Sequence, residues 1–173
     1  RVGGVGGAGG AVCVDVSRGK TGEIRGLAGG EGGVNGVESV GPASGVADAA
    51  SALAESSGAV AVASGATDVV AGSDGVYTVD AGHEQMGSFV GSGCMLGSTL
   101  ATVASTVGTS TEAPVSTLEA SLVAVLAYGL AGERAADETS GGPASYRAAF
   151  MDTVAALADQ PPTVAVDERV STR

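Results

Sequence analysis

Residues 59–63 read AVAVA, a short apolar run with no polar position on either side of the pleat. A run of this kind suits a strand buried on both faces. Just before it, residues 42–57, PASGVADAASALAESS, place Val46, Ala49, Ala50, Leu53 and Ala54 at helical spacing, with Pro42 suited to a first turn. A helix followed by a doubly buried strand is the signature of an α/β fold. The side chains available narrow it further: only 37 of 173 residues are Leu, Ile, Val or Phe, and 30 are Gly. The core must therefore be built from Val, Ala and close backbone contacts.

Further along, residues 68–71 and 76–79 are two short β-prone pieces joined by Gly72-Ser73-Asp74-Gly75, whose Asp-Gly is a strong hairpin signal. They are expected to extend the sheet antiparallel. After a polar link, AGHEQMGS, a helix is predicted from the FVGSGCMLG stretch to about Val107. A second helix follows Pro114, with Val115, Leu118, Leu122, Val125 and Leu126 on its buried side and Gly129 and Gly132 admitting a neighbouring backbone. A third spans residues 144–158 and carries Tyr146, Phe150, Val154 and Leu157, ending at Pro161-Pro162. The expected organisation is a Gly-rich, flexible or truncated N-terminus over 1–15, a domain over 16–159, and a loosely held polar tail over 160–173. The first residue is Arg1 rather than Met, which raises the expectation of a missing N-terminal part. Gly4-Val5-Gly6-Gly7-Ala8-Gly9 formally matches a dinucleotide fingerprint, with Glu23 at about the expected distance. It is set aside because no strand is expected before it and a Gly-rich run meets the pattern by chance.

The formal net charge is −11, with 19 acidic residues against 8 basic ones, only Lys20 among them a lysine. Nucleic acid is an unfavourable partner for such a chain, since its binding draws on phosphate neutralisation by Lys and Arg. The composition fits either a salt-tolerant, halophilic protein or ordinary acidic solubility. Cys13 and Cys94 are the only cysteines and have no Cys/His cluster near them, so neither a disulfide framework nor a zinc site is indicated, and a reducing cytoplasm is expected. No apolar run approaches the ~20 residues of a membrane span.

Two stretches carry candidate chemistry. In residues 89–97, FVGSGCMLG, a Gly-x-Gly opens a predicted helix. A helix start offers unpaired N–H groups and partial positive charge, so anions settle there. Gly91 and Gly93 admit an anion without a Cβ in the way, and Ser92 adds a hydroxyl. The spacing is one residue longer than the dinucleotide form and lacks the Gly-Lys-Ser/Thr of a P-loop. By pattern alone, a structural turn and a phosphate cradle both remain open. Cys94 is either drawn toward its thiolate by the helix start or simply a small, core-facing residue. In residues 17–23, SRGKTGE, Arg18 can fork onto a phosphate and Glu23 can hold Mg²⁺ directly or through water. The alternative is a solvated helix start capped by Thr21. His83, the only histidine, is read as structural.

Taken together these motifs resemble hydroxyethylthiazole kinases of the ribokinase-like superfamily. SRGKTGEIRGLAG resembles the family's Arg-Gly-Asn-x-x-Glu-Ile segment, and GVESV its Gly-Val-Asp-Ser. AVASGATDVV is similar to its Thr-Gly-Glu strand end, and GHEQMGSFVGSGCMLG to its Gly-His and Gly-x-Gly-Cys-x-Leu region. Residues 126–154 are similar to its C-terminal helices, with Gly142-Pro143-Ala144-Ser145-Tyr146 standing for Gly-Pro-Gly-Ser-Phe. The resemblance implies the C-terminal portion of a ribokinase-like α/β/α sandwich. It also implies transfer of the ATP γ-phosphate, with Mg²⁺, to the hydroxyl of 4-methyl-5-(2-hydroxyethyl)thiazole in thiamine biosynthesis or salvage, by a homotrimer with sites between subunits. Carried over, Arg18 and Ser64 contact ATP, Gly91 contacts the thiazole, and Gly91, Ser92 and Gly93 form the anion hole. Cys94 is the catalytic position and Glu23 supports Mg²⁺. The chain departs from the pattern at Lys20, where Asn is expected, and at Ala66, where Glu is expected. It also lacks the family's N-terminal Met region that lines the thiazole pocket. A catalytically silent nucleotide-binding remnant and another small-alcohol kinase of the superfamily are the alternatives.

Overall fold

The computed structural model describes residues 2–4, 15–28, 44–107 and 115–173. Six strands form one sheet in chain order: β1 (Val2–Gly4), β2 (Val16–Lys20), β3 (Val60–Ser64), β4 (Asp68–Gly72), β5 (Gly75–Val79) and β6 (Val170–Thr172). β1, β2 and β3 run parallel; from β3 onward each neighbouring pair is antiparallel. The helices among the described residues are α1 (Thr21–Leu27), α2 (Ser44–Ser57), α3 (Ser92–Val107), α4 (Thr117–Glu138) and α5 (Pro143–Ala155).

The alternation within β3 sorts these elements into layers, because successive side chains on a strand point to opposite faces. Val60 and Val62 join Val16, Val70 and Val79 against Leu96 and Leu100 of α3, Val125 of α4, and Tyr146 and Phe150 of α5. Ala61 and Ala63 turn to the other face with Val69 and Ala71, against Ile24 of α1 and Val46, Ala47, Ala50 and Ala54 of α2. One face is thus built of Val against large side chains, the other largely of Ala against Ala. This is how a chain poor in bulky residues fills two cores: small side chains on both surfaces let α2 lie close to the sheet. The result is the expected α/β/α sandwich, with the AVAVA strand buried on both faces.

Close backbone approach also fixes α4. A Cβ on Gly129 would lie 2.7 Å from the Ala81 carbonyl carbon, so only glycine lets this helix meet residues 80–82. α4 starts at a capping box, in which Ser116 Oγ accepts the Glu119 N–H at 3.1 Å and Glu119 Oε2 accepts the Ser116 N–H at 2.8 Å. Val115, expected on the buried side, is exposed because it precedes this cap; Leu118, Val125 and Leu126 are buried as expected. The β4–β5 hairpin forms as expected, with Gly72 paired to Gly75 across the turn. Gly75 carries the positive φ of +144°.

Both chain ends depart from expectation. Val2–Gly4 is a strand beside β2, so a strand does lead into the Gly-rich run; from Val5 to Val14 that run lies outside the described residues. The polar tail is likewise part of the sheet. β6 pairs with β5, and Arg169 forks onto Glu133 at 3.1 and 3.0 Å while also donating to the Asp80 carbonyl at 3.2 Å. Polar composition at 160–173 concealed an edge strand held by backbone pairing and the Arg169 fork, with Val164 and Val170 packed partly buried against the core. The GVESV segment, Pro42, Pro114 and Cys13 lie outside the described residues.

Candidate active site

Ligands of open α/β sheets bind beyond the carboxyl ends of the strands. At that end here, three of the residues singled out by sequence converge. Arg18 in β2 and Ser64 at the end of β3 share the sheet face of Val16, Val60 and Val62, since each is an even number of residues away. Arg18 Nη2 donates to Ser64 Oγ at 2.7 Å. The same guanidinium lies against the first turn of α3, where a Cβ on Gly93 would sit 2.6 Å from Nη2 and 3.0 Å from Nη1. Gly91, Ser92 and Gly93 form that turn, and Gly91 adopts φ +111°, which favours glycine. Gly91 thus supplies the bend into the helix, and Gly93 the room for the arginine.

The electrostatics of this arrangement are one-sided. A fixed cation faces the positive end of a 16-residue helix. No ion pair joins Arg18 to a carboxylate among the described residues, and its buried Nε makes no hydrogen bond. Two like-signed features with unused donors suit an anion with several oxygens.

Tyr128 and Asp68, which sequence reasoning had not picked out, hold this end together. Tyr128, buried on α4, donates its hydroxyl to the Ser92 carbonyl and so ties α4 to the start of α3. Burial pushes that hydroxyl's pKa well above its ordinary value, with the Arg18 guanidinium pulling the other way. Tyr128 belongs to a cluster in which Phe150 meets it edge-on at 5.0 Å, and Phe89 packs 6.0 Å from Phe150. Asp68 opens β4, and its Oδ1 accepts the Gly65 N–H at 2.9 Å, closing the turn after Ser64. Burial pushes its carboxyl up to about 6, against the lowering effects of the Gly65 N–H and of Arg18. The available signals were an aromatic with a polar tip on the buried face of α4 and an Asp three residues beyond a turn glycine.

Glu23 and Cys94 flank the convergence without joining it. Glu23 lies exposed in the first turn of α1, where its Oε2 accepts the Lys20 N–H at 2.6 Å. Lys20 therefore takes the cap position expected of Thr21, while Thr21 Oγ1 reaches the Ser64 carbonyl at 3.5 Å. Mg²⁺ commonly rests on one or two carboxylates plus the phosphates of its nucleotide. Glu23, exposed and accepting one hydrogen bond through Oε2, fits that modest role, although no group of three His, Cys, Asp or Glu gathers among the described residues. Cys94 is a free, exposed thiol on α3, not the core-facing residue of the alternative reading. His83 caps the short 3-10 turn at residues 84–87, where its Nδ1 accepts the Gln85 N–H at 3.3 Å. Among the described residues, no helix is long and apolar enough to cross a membrane.

Fold and site together define an α/β protein of the ribokinase-like class. Over 92% of its length the chain superimposes on a hydroxyethylthiazole kinase from Pyrococcus horikoshii, with TM-score 0.69 and 25% identity, covering 55% of that chain. The profile of the hydroxyethylthiazole kinase family matches residues 10–160, and the chain belongs to that family. A hydroxyethylthiazole kinase of Natronomonas pharaonis is 46% identical over 149 residues, which are 86% of this chain and 52% of the relative. One from Haloquadratum walsbyi is 40% identical over 164 residues, 91% of this chain and 54% of the relative. The chain thus spans about half the length of the curated relatives it matches.

Proposed function

We propose that this chain binds ATP and phosphorylates the hydroxyl of 4-methyl-5-(2-hydroxyethyl)thiazole, the reaction implied by the names of its relatives. The observation that carries the reading is the Arg18 guanidinium, fixed by Ser64 and set against the start of α3, with no carboxylate paired to it among the described residues. Arg18 and Ser64 hold the ATP phosphates, and the Gly91, Ser92 and Gly93 N–H groups form the anion hole that receives charge spreading over the transferring oxygens. Gly91 also contacts the thiazole. The alcohol oxygen forms a bond to the γ-phosphorus as the bond to the β–γ bridging oxygen breaks and ADP leaves. The hydroxyl proton passes to Cys94 Sγ, which accepts it in its thiolate form to become the thiol and then releases it to solvent. Glu23 would hold Mg²⁺, which neutralises phosphate charge when bound. Cytoplasmic residence and assembly as a homotrimer complete the proposal; Val90, 96% exposed beside the anion hole, suits a site finished by a neighbouring subunit.

A second reading is nucleotide binding without turnover. It is favoured by Lys20 and Ala66 at positions where the family pattern has Asn and Glu, and by the half-length match. Calorimetric titration with Mg-ATP, paired with detection of thiazole phosphate, decides between the two. Binding with product supports the kinase, and binding without product supports the second reading. Absence of binding refutes both.

A further inference from the structure

The turn that opens α3 is held from behind at both ends. Phe89 packs 6.0 Å from Phe150, and a few residues on, the Ser92 carbonyl accepts the hydroxyl of Tyr128. Between these anchors lies Gly91, whose φ of +111° makes it the pliable joint of the turn. Tyr128 itself has little freedom. It is buried, meets Phe150 edge-on at 5.0 Å, and precedes Gly129, where a Cβ would stand 2.7 Å from the Ala81 carbonyl carbon. Its hydroxyl is thus a fixed point on a closely seated helix, and no step of the proposed reaction uses it.

A peptide unit is planar and, when trans, points its C=O and N–H in opposite directions. No peptide bond among the described residues is cis, so the bond that draws the Ser92 carbonyl toward Tyr128 also turns the Gly93 N–H away from it. The first turn of α3 closes with the Met95 N–H on the Gly91 carbonyl at 3.0 Å, which leaves the Gly93 N–H before it with no acceptor in the helix. Against the same residue lies the Arg18 guanidinium, its Nη2 2.6 Å from where a Gly93 Cβ would stand. Resting on the nucleotide reading above, we infer that Tyr128 is a positioning residue of the phosphate site: by holding the Ser92–Gly93 peptide plane, it aims the Gly93 N–H at the phosphate that Arg18 also binds. Without the hydroxyl the plane is free to rock about Gly91, and the backbone donor is misdirected. Arg18, fixed separately by Ser64, keeps its place.

The test is Tyr128→Phe in the full chain, read by NMR of N–H groups during titration with ATP and by turnover of the thiazole alcohol. In the parent, ATP is expected to move the Gly93 N–H and the Arg18 Nε–H resonances together. In Y128F the Gly93 response should shrink while that of Arg18 persists. Turnover should fall by about tenfold to a hundredfold, the cost of a misplaced transition-state donor, with KM for ATP moving far less. Thr153→Val controls for a purely structural effect. Thr153 Oγ1 donates to the Ala131 carbonyl at 3.0 Å, so this variant also removes a buried hydroxyl bond to a backbone carbonyl, but one between α5 and α4 rather than at α3. It should leave the Gly93 response and kcat at the parent's values. A parent-like Gly93 response in Y128F, or equal losses in T153V, overturns the inference while leaving the nucleotide reading in place. If the parent binds ATP without turnover, the Gly93 response alone decides, and a parent that binds no ATP removes both. If Y128F does not fold, fluorotyrosine at position 128 takes its place, since it keeps the ring and hydroxyl but makes a more acidic donor. A changed Gly93 response to ATP then supports the inference, and an unchanged one overturns it.

Discussion

Gly93→Ala separates the site from the fold more cleanly than removal of any charged residue. The added Cβ would stand 2.6 Å from Arg18 Nη2, 3.0 Å from Nη1 and 3.2 Å from Cζ. A non-bonded contact needs about 3.5 Å, so the guanidinium must withdraw by about 1 Å. That stretches the 2.7 Å bond to Ser64 to the limit of hydrogen bonding. A hydrogen bond from a charged group contributes about 1.5–3 kcal/mol. The helix gains up to about 1 kcal/mol from Ala in place of Gly, which offsets part of that loss in overall stability. Nothing offsets it in phosphate contact, so ATP affinity is expected to fall about tenfold or more while the thermal midpoint moves by only a few degrees. Gly97→Ala is the control on the same helix: no atom lies within 4 Å of its added Cβ, and it should stabilise without touching ATP affinity. Calorimetry and thermal melts read both, and adding Arg18→Ala closes a double-mutant cycle. Once Arg18 is truncated, Gly93→Ala should cost no further affinity. Parent-like ATP binding by Gly93→Ala, or equal losses with and without Arg18, would refute the placement of the guanidinium at the phosphates.

Three further outcomes follow from named contacts. Asp68 has a folded pKa of about 6, above the ordinary carboxylate value, so its ionised form destabilises the fold above pH 6 and the penalty vanishes below about pH 4. Asp68→Asn, which keeps an acceptor for Gly65, should therefore exceed the parent in urea-melt stability by up to about 3 kcal/mol at neutral pH, with the gap closing as pH falls from 6 to 4. Tyr128→Phe removes the donor to the Ser92 carbonyl and should lower unfolding free energy by about 1 kcal/mol in denaturant titration, with faster amide exchange at the start of α3. Arg169→Ala breaks a fork onto Glu133 whose side chains are 35% and 28% exposed, so its global cost should stay near 1 kcal/mol. Its clearer mark should be faster hydrogen exchange across residues 170–172, since Arg169 is what fastens β6 beside Glu133.

How much of this was legible in the sequence depends on how local each signal is. The helix ending at Ser57, the AVAVA strand and the Asp-Gly hairpin declare themselves in windows of a few residues, and all three form where expected. β2 was hidden because VSRGK mixes a buried Val and a buried Gly with polar positions. Its polarity is the site itself, Arg18 reaching across to Ser64 in the next strand. β6 was hidden for a related reason: VSTR offers only Val170 to the core, and its place is fixed by backbone pairing to β5 and by Arg169 just before it. In both cases the residues that violate strand patterning are the ones bearing charge to a specific partner far along the chain.

The candidate site divides along the same line. Gly91 and Gly93 were legible as a turn admitting an anion, but the second use of Gly93, making room for a guanidinium from β2, needs the packing of two elements some 75 residues apart. Asp68 was readable only as the start of a strand, and Tyr128 only as one more position on a buried helix face. Their roles arise from cross-element hydrogen bonds to Gly65 and Ser92 that no spacing rule encodes. The chain has only five Tyr and Phe residues, and four of them, Phe89, Tyr128, Tyr146 and Phe150, gather behind the turn that opens α3. In a protein whose sheet is otherwise cored by Val and Ala, the largest side chains back the one helix start that faces Arg18. That concentration gives the turn that opens α3 a packed aromatic support which the rest of the small-residue core does not supply.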